Sequence, residues 1–556
     1  MDRRTFLIRS AWLTAGGLLA SASPSLANLA AKAGEIRFDG DLYKTFKDPA
    51  SIYYPFVRWW WNGDILDADE LRRELQVMKK AGIGGVEINP IQLPPRDNDM
   101  GMLEEATPWL SDKWIEMLKV TFDEAKRLDM TCDLLVGSGW PFGAEYLRGD
   151  ERAMVRLVDA QELEGPCEYE ISQFALFAKV DPHATEPSSV RTMKIISLSL
   201  VPSPMDNISQ AIDLTAQKDD EIIKVQVPAG KHYFYAVVQV DAFACVINGA
   251  PGAAGPILNH LDGKAVRKYL DHMSDAIQDK IGPLKGRIRT MFTDSMELEG
   301  SNWTTDFREE FIRRRGYDIV PYMPYMMFKT GRLGDVSNFD YGVEKTARFK
   351  DENNRMRYDF ELTKAELLRE RFNGTYLQWC KELGVLSRAQ AYGRGFFPLE
   401  SSIGYDIPEG ESWTTNYLQH RIGEEMGYED YRRGRSYTMV NKFVTSGAHM
   451  AGKRWISCEE MTNTYRVFNA TLEFLKLGAD MNAINGITHS IRHGFNYNPP
   501  GVEFPGWIVY GGFYNESNNW WPYFHFLNEY RARLSSVFTN VEMFADIAVM
   551  PPVNDM

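Results

Sequence analysis

The chain has 556 residues and a formal net charge of −14 at pH 7, with 44% hydrophobic and 25% charged residues. This is the composition of a globular protein, and it excludes disordered and collagen-like classes. The acidic balance, without any run dense in lysine and arginine, argues against a nucleic-acid-binding role. The five cysteines lack the CxxC and zinc-ligand spacings, so we expect them to be buried small side chains rather than metal ligands or a disulfide framework.

The N-terminus carries the pattern of an export signal. Arg3 and Arg4 precede an apolar run over residues 11–22, which is too short to span a bilayer. We therefore expect residues 1–33 to be a cleaved twin-arginine signal. The mature protein is then expected to be periplasmic or secreted and free of the membrane.

Short apolar runs alternate with long amphipathic segments, which is typical of repeated βα units around a parallel sheet. The first helix shows the pattern clearly, with Asp67 as its N-cap and Gly82 as its end. The sequence therefore predicts an α/β fold, a (β/α)₈ TIM-like barrel. Its eight predicted strands cover residues 55–61, 85–89, 131–136, 288–294, 386–391, 454–459, 483–488 and 546–550.

Residues 150–255 interrupt this alternation after strand three. Period-two stretches over residues 195–201 and 233–240 predict a small β-rich insertion there. Residues 34–149 and 256–556 would then form the catalytic barrel. Because the chain ends six residues after the last predicted strand, we expect the final barrel helix to be missing and the C-terminus to be incomplete.

Candidate functional residues follow the predicted strands, since active residues of such barrels lie at the C-terminal strand ends. Carboxylates predominate there, and hydrolysis of a glycoside needs two of them, an acid and a base or nucleophile. No G-x-S-x-G elbow, Walker loop or HExxH motif is present, so hydrolases that use those devices lack support. In chain order the candidates are Glu87 and Asn89, then Asp294, Glu297 and Glu299, then Gln390, Glu409 and Glu411, then Glu459 and Glu460, and last His489 and His493.

Neighbouring carboxylates leave two choices open. Glu297, close after a strand and beside Asp294, is preferred over Glu299. Strand alternation permits only one of Glu459 and Glu460 to face the barrel mouth. The two histidines are expected to donate hydrogen bonds to a sugar.

Aromatic residues concentrate in the same segments, and flat apolar rings suit the C–H surface of a sugar. Trp60 and Trp140 are the candidates for sugar contact. In the run over residues 59–61, alternation sends neighbours to opposite faces, so core and site roles stay equally open.

Five groups of motifs, in chain order, together resemble glycoside hydrolase family 106, the α-L-rhamnosidases. The matching stretches cover residues 58–63 with 78–87, 294–297 with 302–304, 406–409, 459–462 and 493–497. This resemblance implies an inverting glycosidase that removes α-L-rhamnosyl residues from polysaccharides or glycosides. It also implies a calcium ion near the sugar, without identifying its ligands.

Carried over by motif, the resemblance assigns Glu297 as general acid and Glu459 as general base, with Glu409 or Glu411 as an accessory carboxylate. The chain departs from the family pattern in two ways. The β-sandwich domains that usually follow are lacking, and the Glu459-Glu460 doublet replaces a single glutamate followed by a small residue. Two other functions stay open: a barrel glycosidase of other sugar specificity and a non-catalytic carbohydrate-binding protein.

Overall fold

The computed structural model describes most of the chain. The described residues are 40–62, 65–92, 106–181, 191–298, 300–327, 329–330, 336–338, 341–393, 398–413, 440–462, 468, 470–504, 506 and 514–549. The predicted export signal and Glu299 lie outside them. Export therefore stays a prediction.

Eight parallel strands form a closed barrel. They are β1 Phe56–Asn62, β2 Gly85–Ile91, β3 Thr131–Leu135, β4 Thr290–Thr293, β5 Leu386–Gln390, β6 Ile407–Trp413, β7 Ser457–Thr462 and β8 His489–Asn496. Each strand pairs in parallel with the next along the chain, and β8 pairs with β1 to close the ring. The predicted (β/α)₈ fold is confirmed.

Helices lie around the barrel and on the inserted segment. They are α1 Leu42–Lys47, α2 Ala68–Lys80, α3 Asp112–Arg127, α4 Gln173–Val180, α5 Gly263–Ile281, α6 Phe307–Arg315, α7 Met323–Met326, α8 Ala347–Leu367, α9 Gly374–Leu383, α10 Pro398–Ser401, α11 Leu472–Ile484 and α12 Phe524–Phe538, with a further helical segment over residues 440–450. As predicted, Asp67 caps α2 by accepting hydrogen bonds from two backbone N–H groups. None of the helices in the described ranges combines the length and apolarity that a membrane span requires.

Between β3 and β4 the chain forms a four-stranded antiparallel sheet. In spatial order its strands are Met154–Ser172, Ile222–Asp241, Thr192–Pro202 and Ile212–Asp213. Its apolar residues form a small core of their own, which includes Val155, Leu198 and Val238. A second, two-stranded sheet pairs Lys329–Thr330 with Val336–Asn338.

One barrel strand is missing from the prediction, and one predicted strand is wrong. The sequence predicts no strand over residues 407–413, yet these residues form β6. Residues 546–549 are exposed and belong to no strand, although their alternation is strand-like. The predicted strand 483–488 is also displaced, because α11 runs to Ile484 and β8 begins at His489.

The helix α12 follows the last barrel strand, so the expectation that this helix is missing is wrong. The error came from placing the eighth strand at residue 546, whereas it begins at residue 489. The prediction for the cysteines is wrong in part, since Cys167 and Cys245 are exposed, whereas Cys132, Cys380 and Cys458 are buried.

The tryptophan run of β1 divides between the two sides of the barrel wall. Nε1 of Trp59 donates to Oε2 of Glu74 on α2 at 2.7 Å, and the Trp61 ring packs edge-on against Trp114 on α3. Both side chains belong to the main apolar core between barrel and helices. Trp60, between them, points into the barrel.

Gly494 lies where β8 passes closest to β1. A β-carbon on residue 494 would stand 2.6 Å from the carbonyl oxygen of Arg58 and 2.7 Å from Nε1 of Trp60. We therefore expect Gly494→Ala to displace Trp60 and to destabilise the fold by about 1–3 kcal/mol, measured by denaturant unfolding. Gly374→Ala is the control, because its β-carbon would approach no atom closer than 3.7 Å, and it should leave stability unchanged or slightly improved. Equal stability of the two variants would contradict this prediction.

Candidate active site

The interior of the barrel is charged rather than apolar. Arg388 on β5 is fully buried and binds Glu87 on β2 and, through Nη1 at 2.7 Å, Oε2 of Glu409 on β6. Nε of Arg58 on β1 donates to Oε1 of the same Glu87 at 2.6 Å. Buried charges need partners of this kind, because the barrel interior replaces water as their solvent.

Glu459 on β7 lies above this network, toward the C-terminal ends of the strands. Its Oε2 is 2.9 Å from Nη1 of Arg58 and accepts a 2.5 Å hydrogen bond from Nε2 of Gln390. Its Oε1 accepts from Thr462 at 2.9 Å and lies 3.3 Å from Nε2 of His493. Burial alone would raise the pKa of Glu459, but the Arg58 charge and these donors outweigh it and hold the pKa below its usual value. Glu459 is therefore a buried, ionised carboxylate.

Asp294, directly after β4, has the opposite character. Its Oδ2 lies 3.1 Å from the same Nη1 of Arg58. Burial, together with the negative charges of Glu459 and Glu87, outweighs the attraction of Arg58 and raises the pKa of Asp294 to about 8. At neutral pH Asp294 is thus predominantly protonated beside an ionised Glu459.

Glu411 and Gln390 line the same end of the barrel. The Tyr392 hydroxyl, just beyond β5, lies 2.7 Å from Oε2 of Glu411 and 2.6 Å from Oε1 of Gln390. Burial and the nearby Glu459 charge raise the pKa of Glu411 well above its usual value. Tyr392 therefore ties Glu411, whose protonated form burial favours, to the glutamine that binds Glu459.

Glu297 lies in the loop after β4 and is half-buried. Ser295 Oγ donates to its Oε1 at 2.9 Å. The loop is fixed against the loop after β5, because the backbone N–H of Met296 donates to the carbonyl of Tyr392 at 3.0 Å. This places Glu297 at the same end of the barrel as Glu459, in a more solvent-accessible position.

Trp60 and His493 form one wall of this region. Trp60 is 2% exposed and packs with Ile91 and the partly buried Trp140, while the His493 ring meets it edge-on at 5.3 Å. Burial lowers the pKa of His493 to about 4, so its imidazole is neutral at neutral pH. Asn89, also buried, is paired in register with Trp60 and donates to Oε1 of Glu87 at 3.2 Å.

Two of the sequence candidates lie away from this cluster. His489 is the first residue of β8, at the opposite end of the strand, where it contacts the backbone carbonyl of Tyr54. The prediction that it binds sugar is not supported, because it was placed at the end of a strand that in fact begins with it. Glu460 points out of the barrel to bind Arg492, with Asn482 donating to it at 3.2 Å, as strand alternation requires. Glu409 stays inside but deeper, bonded to Arg388 and to Ser457 at 2.6 Å.

Sequence reasoning missed Arg58, Arg388 and Tyr392. The two arginines stand in the middle of predicted barrel strands, and a charged residue in such a position signals a partner inside the barrel. Tyr392 lies two residues beyond the predicted Gln390, and nothing in the sequence marks it.

Calcium is not supported by the described part of the chain. Within the described ranges, no group of three or more His, Cys, Asp or Glu side chains is arranged to hold a metal ion. Arg58 and Arg388 bind several of the carboxylates that calcium would need. Calcium stays a prediction from resemblance, and no chemical step is assigned to it.

The fold and the site define a class: a (β/α)₈ barrel whose paired carboxyl groups collect at the C-terminal ends of the strands. Residues 194–551 match the family model of glycoside hydrolase family 106, alpha-L-rhamnosidase. The chain belongs to glycoside hydrolase family 106.

Two individual proteins resemble the chain over most of its length. A protein of Formosa agariphila, named provisionally as a beta-glucuronidase, is 23% identical over 542 residues, which is 92% of this chain and 42% of the relative. The structure of a rhamnosidase from Novosphingobium sp. PP1Y superimposes with a TM-score of 0.64 and 17% identity, over 90% of this chain and 61% of that one. At 17% identity this structural match shows a shared fold and nothing more specific. The chain thus spans less than two thirds of the length of either protein.

A beta-galactosidase from the psychrophilic Marinomonas ef1 matches more weakly. The match covers 81% of this chain and 55% of the beta-galactosidase, with 8% identity and a TM-score of 0.34, so we infer nothing from it.

Proposed function

We propose that this protein hydrolyses α-L-rhamnosides with inversion at the anomeric carbon, with Glu459 as the general base and Glu297 as the general acid. The observation that carries the proposal is the state of Glu459. A carboxylate buried in a barrel is ordinarily protonated, whereas this one is held ionised and is oriented by donors at both of its oxygens. Such a group is poised to accept a proton from water.

In the proposed reaction, Glu459 removes a proton from a water molecule whose oxygen attacks the anomeric carbon. The bond from that carbon to the leaving oxygen breaks, and Glu297 transfers its proton to this oxygen. The products are the free alcohol and rhamnose of inverted configuration.

The spacing of the carboxyl groups favours Glu297 over Asp294 as the acid. Oδ2 of Asp294 and Oε2 of Glu459 share one arginine nitrogen at 3.1 and 2.9 Å, so they stand at most about 6 Å apart with the guanidinium between them. An inverting pair is separated by about 6.5–9.5 Å because a water molecule must fit between the carboxyl groups. Glu297, three residues further along and closer to solvent, is better placed to reach a leaving oxygen.

The surroundings suit an uncharged sugar. The guanidinium groups of Arg58 and Arg388 are paired with Glu87, Glu409 and Glu459, while Asp294 is mainly protonated. Rhamnose is neutral, and its methyl and C–H groups suit the indole of Trp60.

Two buried polar atoms remain available to the sugar. Nη2 of Arg58 and Nδ1 of His493 have no hydrogen-bond partner among the described residues. Since buried polar groups are costly without partners, sugar hydroxyl groups would stabilise both.

The proposal is tested by assaying the purified full chain against 4-nitrophenyl α-L-rhamnoside within a panel that includes the β-D-glucuronide and other aryl glycosides. We expect nitrophenol release from the rhamnoside, with NMR detecting the β-anomer of rhamnose first. Release from another glycoside would instead support a barrel glycosidase of other specificity. Sugar binding without release would support the non-catalytic alternative.

A second measurement tests the acid. Replacement Glu297→Gln removes the proton donor, so substrates with poor leaving groups should lose about 10²–10⁴-fold in kcat/KM. An aryl glycoside with a nitrophenolate leaving group needs little protonation and should lose far less. The matched variant Asp294→Asn should show no such dependence on the leaving group. If Asp294→Asn shows it and Glu297→Gln does not, the acid is Asp294.

A further inference from the structure

The Arg58 guanidinium lies between the two carboxyl groups of contrasting protonation. Nη1 contacts both Asp294 and Glu459, at 3.1 and 2.9 Å, and the side chain is 2% exposed. The rings of Trp60 and Phe292 flank the guanidinium carbon at 5.2 and 5.3 Å. Arg58 therefore has little freedom to turn away.

Arg58 is also held from behind. Its Nε donates to Oε1 of Glu87 at 2.6 Å, and the other oxygen of Glu87 binds Arg388. Arg388 in turn binds Glu409. This line of alternating charges reaches from β6 through β5 and β2 to β1 and ends at Glu459. The direction of the Arg58 side chain is thus set by residues that do not touch Glu459.

Several groups face Glu459, and they lie on or directly after seven of the eight strands. They are Arg58 on β1, Glu87 on β2, Asp294 after β4, Gln390 on β5 with Tyr392 after it, Glu411 on β6, Thr462 on β7 and His493 on β8. Among these, Arg58 carries the positive charge at neutral pH, because His493 is neutral. Asp294 is mainly protonated and adds little negative charge, and burial favours the protonated form of Glu411.

We propose that Arg58 is a positioning residue for the base: through Nη1 it keeps Glu459 ionised and fixes the direction of Oε2, while Glu87 and Arg388 hold Arg58 in place. This inference rests on the proposed function, because a base must be ionised before the sugar binds. If Arg58 has this role, its replacement should change the pH dependence of turnover. Loss of a purely structural ion pair would not change it.

The first test compares the pH profiles of kcat/KM for the wild type, Arg58→Gln and Arg58→Lys. In the wild type Glu459 has a lowered pKa, so activity is lost only as the pH falls through that low value. Without the charge at residue 58, burial is opposed mainly by the hydrogen bonds from Gln390 and Thr462, so the acidic limb should move up by about one pH unit or more, a ten-fold loss per unit on that limb. Arg58→Lys keeps the positive charge but loses the several N–H donors of the planar guanidinium. The acidic limb of its pH profile should therefore stay near that of the wild type, while kcat falls. An unmoved acidic limb in Arg58→Gln would overturn the inference.

A second test needs no turnover. The denaturant midpoints of the wild type, Arg58→Gln, Glu459→Gln and the double variant form a thermodynamic cycle. We expect Arg58→Gln to lower the midpoint strongly by itself and much less in the Glu459→Gln background, since a neutral residue 459 no longer needs the guanidinium.

The control cycle uses Glu460→Gln, the neighbouring glutamate that binds Arg492 and not Arg58. Its effect should add to that of Arg58→Gln, and additivity in both cycles would overturn the inference. If the wild type hydrolyses none of the aryl glycosides, the proposed function fails. The two cycles then still decide whether Arg58 controls Glu459.

Discussion

Replacement Glu459→Gln is expected to lower kcat/KM for α-L-rhamnoside hydrolysis by about 10³-fold or more, because the amide cannot accept the proton of the attacking water. The free energy of unfolding should change little by comparison with this loss of activity. Glutamine keeps the shape of the side chain and can still form hydrogen bonds to Gln390 and Thr462. The measurement is steady-state release of nitrophenol, with unfolding followed in parallel.

The matched control is Glu460→Gln, one residue away. Glu460 binds Arg492 and lies 3.6 Å from Arg531 on the outer side of the barrel wall, so its loss should destabilise the protein without lowering turnover per folded molecule. The two variants thus separate a loss of chemistry from a loss of folding. Full activity in Glu459→Gln, or a loss of about 10³-fold in Glu460→Gln, would indicate that the general base is Glu460 and not Glu459.

Azide provides a further check on the proposed role. Truncation of the side chain in Glu459→Ala leaves space for azide beside the anomeric carbon. Azide is already an anion, so it can attack that carbon without a base. We expect azide to restore turnover and to yield the rhamnosyl azide of inverted configuration. Rhamnosyl azide of retained configuration would instead indicate that azide had attacked a covalent glycosyl-enzyme intermediate, with Glu459 as the acid/base residue of a two-step reaction.

Replacement Arg388→Met is expected to have the largest effect on stability, about 3–5 kcal/mol in the free energy of unfolding. Methionine fills a similar space, but Glu87 and Glu409 lose their shared partner, and Asp133 loses a guanidinium nitrogen at 3.6 Å. A charge buried without its partner is costly, whereas the loss of a surface pair is not. The surface variant Arg72→Met, whose partner Asp69 is exposed, should change stability by about 1 kcal/mol or less.

The effect of Arg388→Met should depend on pH in a definite direction. Burial raises the pKa of Glu409 to about 7 even with Arg388 present, and removal of the guanidinium would raise it further. Below about pH 7 Glu409 is protonated in both the wild type and the variant. Above about pH 7 the wild type pairs the Glu409 carboxylate with Arg388, whereas the variant must either keep the buried carboxyl group protonated or bury its charge without a partner. Denaturant unfolding at about pH 5.5 and about pH 8.5 should therefore show the larger difference at the higher pH. A difference that is equal at both values would mean that Arg388 acts through packing alone.

Local patterns in the sequence determined much of this protein. Alternating apolar runs and helices predicted the barrel, and Asp67 predicted the start of α2. The concentration of carboxylates at strand ends predicted where Glu87, Asp294, Gln390 and Glu459 would gather. These inferences depend on neighbours within a few residues, which is the range over which side-chain periodicity acts.

Only the tertiary structure decided which strand closes the barrel and which of two adjacent glutamates faces inward. β6 carries proline, glycine and glutamates because both of its faces are buried among polar groups, and no local signal separates such a strand from a loop. One guanidinium, from a strand more than two hundred residues away in the chain, lowers the pKa of both Glu459 and Asp294. The two pKa values still shift in opposite directions, because Glu459 also accepts hydrogen bonds from Gln390 and Thr462, whereas Asp294 faces the negative charges of Glu459 and Glu87. Charge interactions of this kind depend on distance in space, and the sequence alone does not contain that distance.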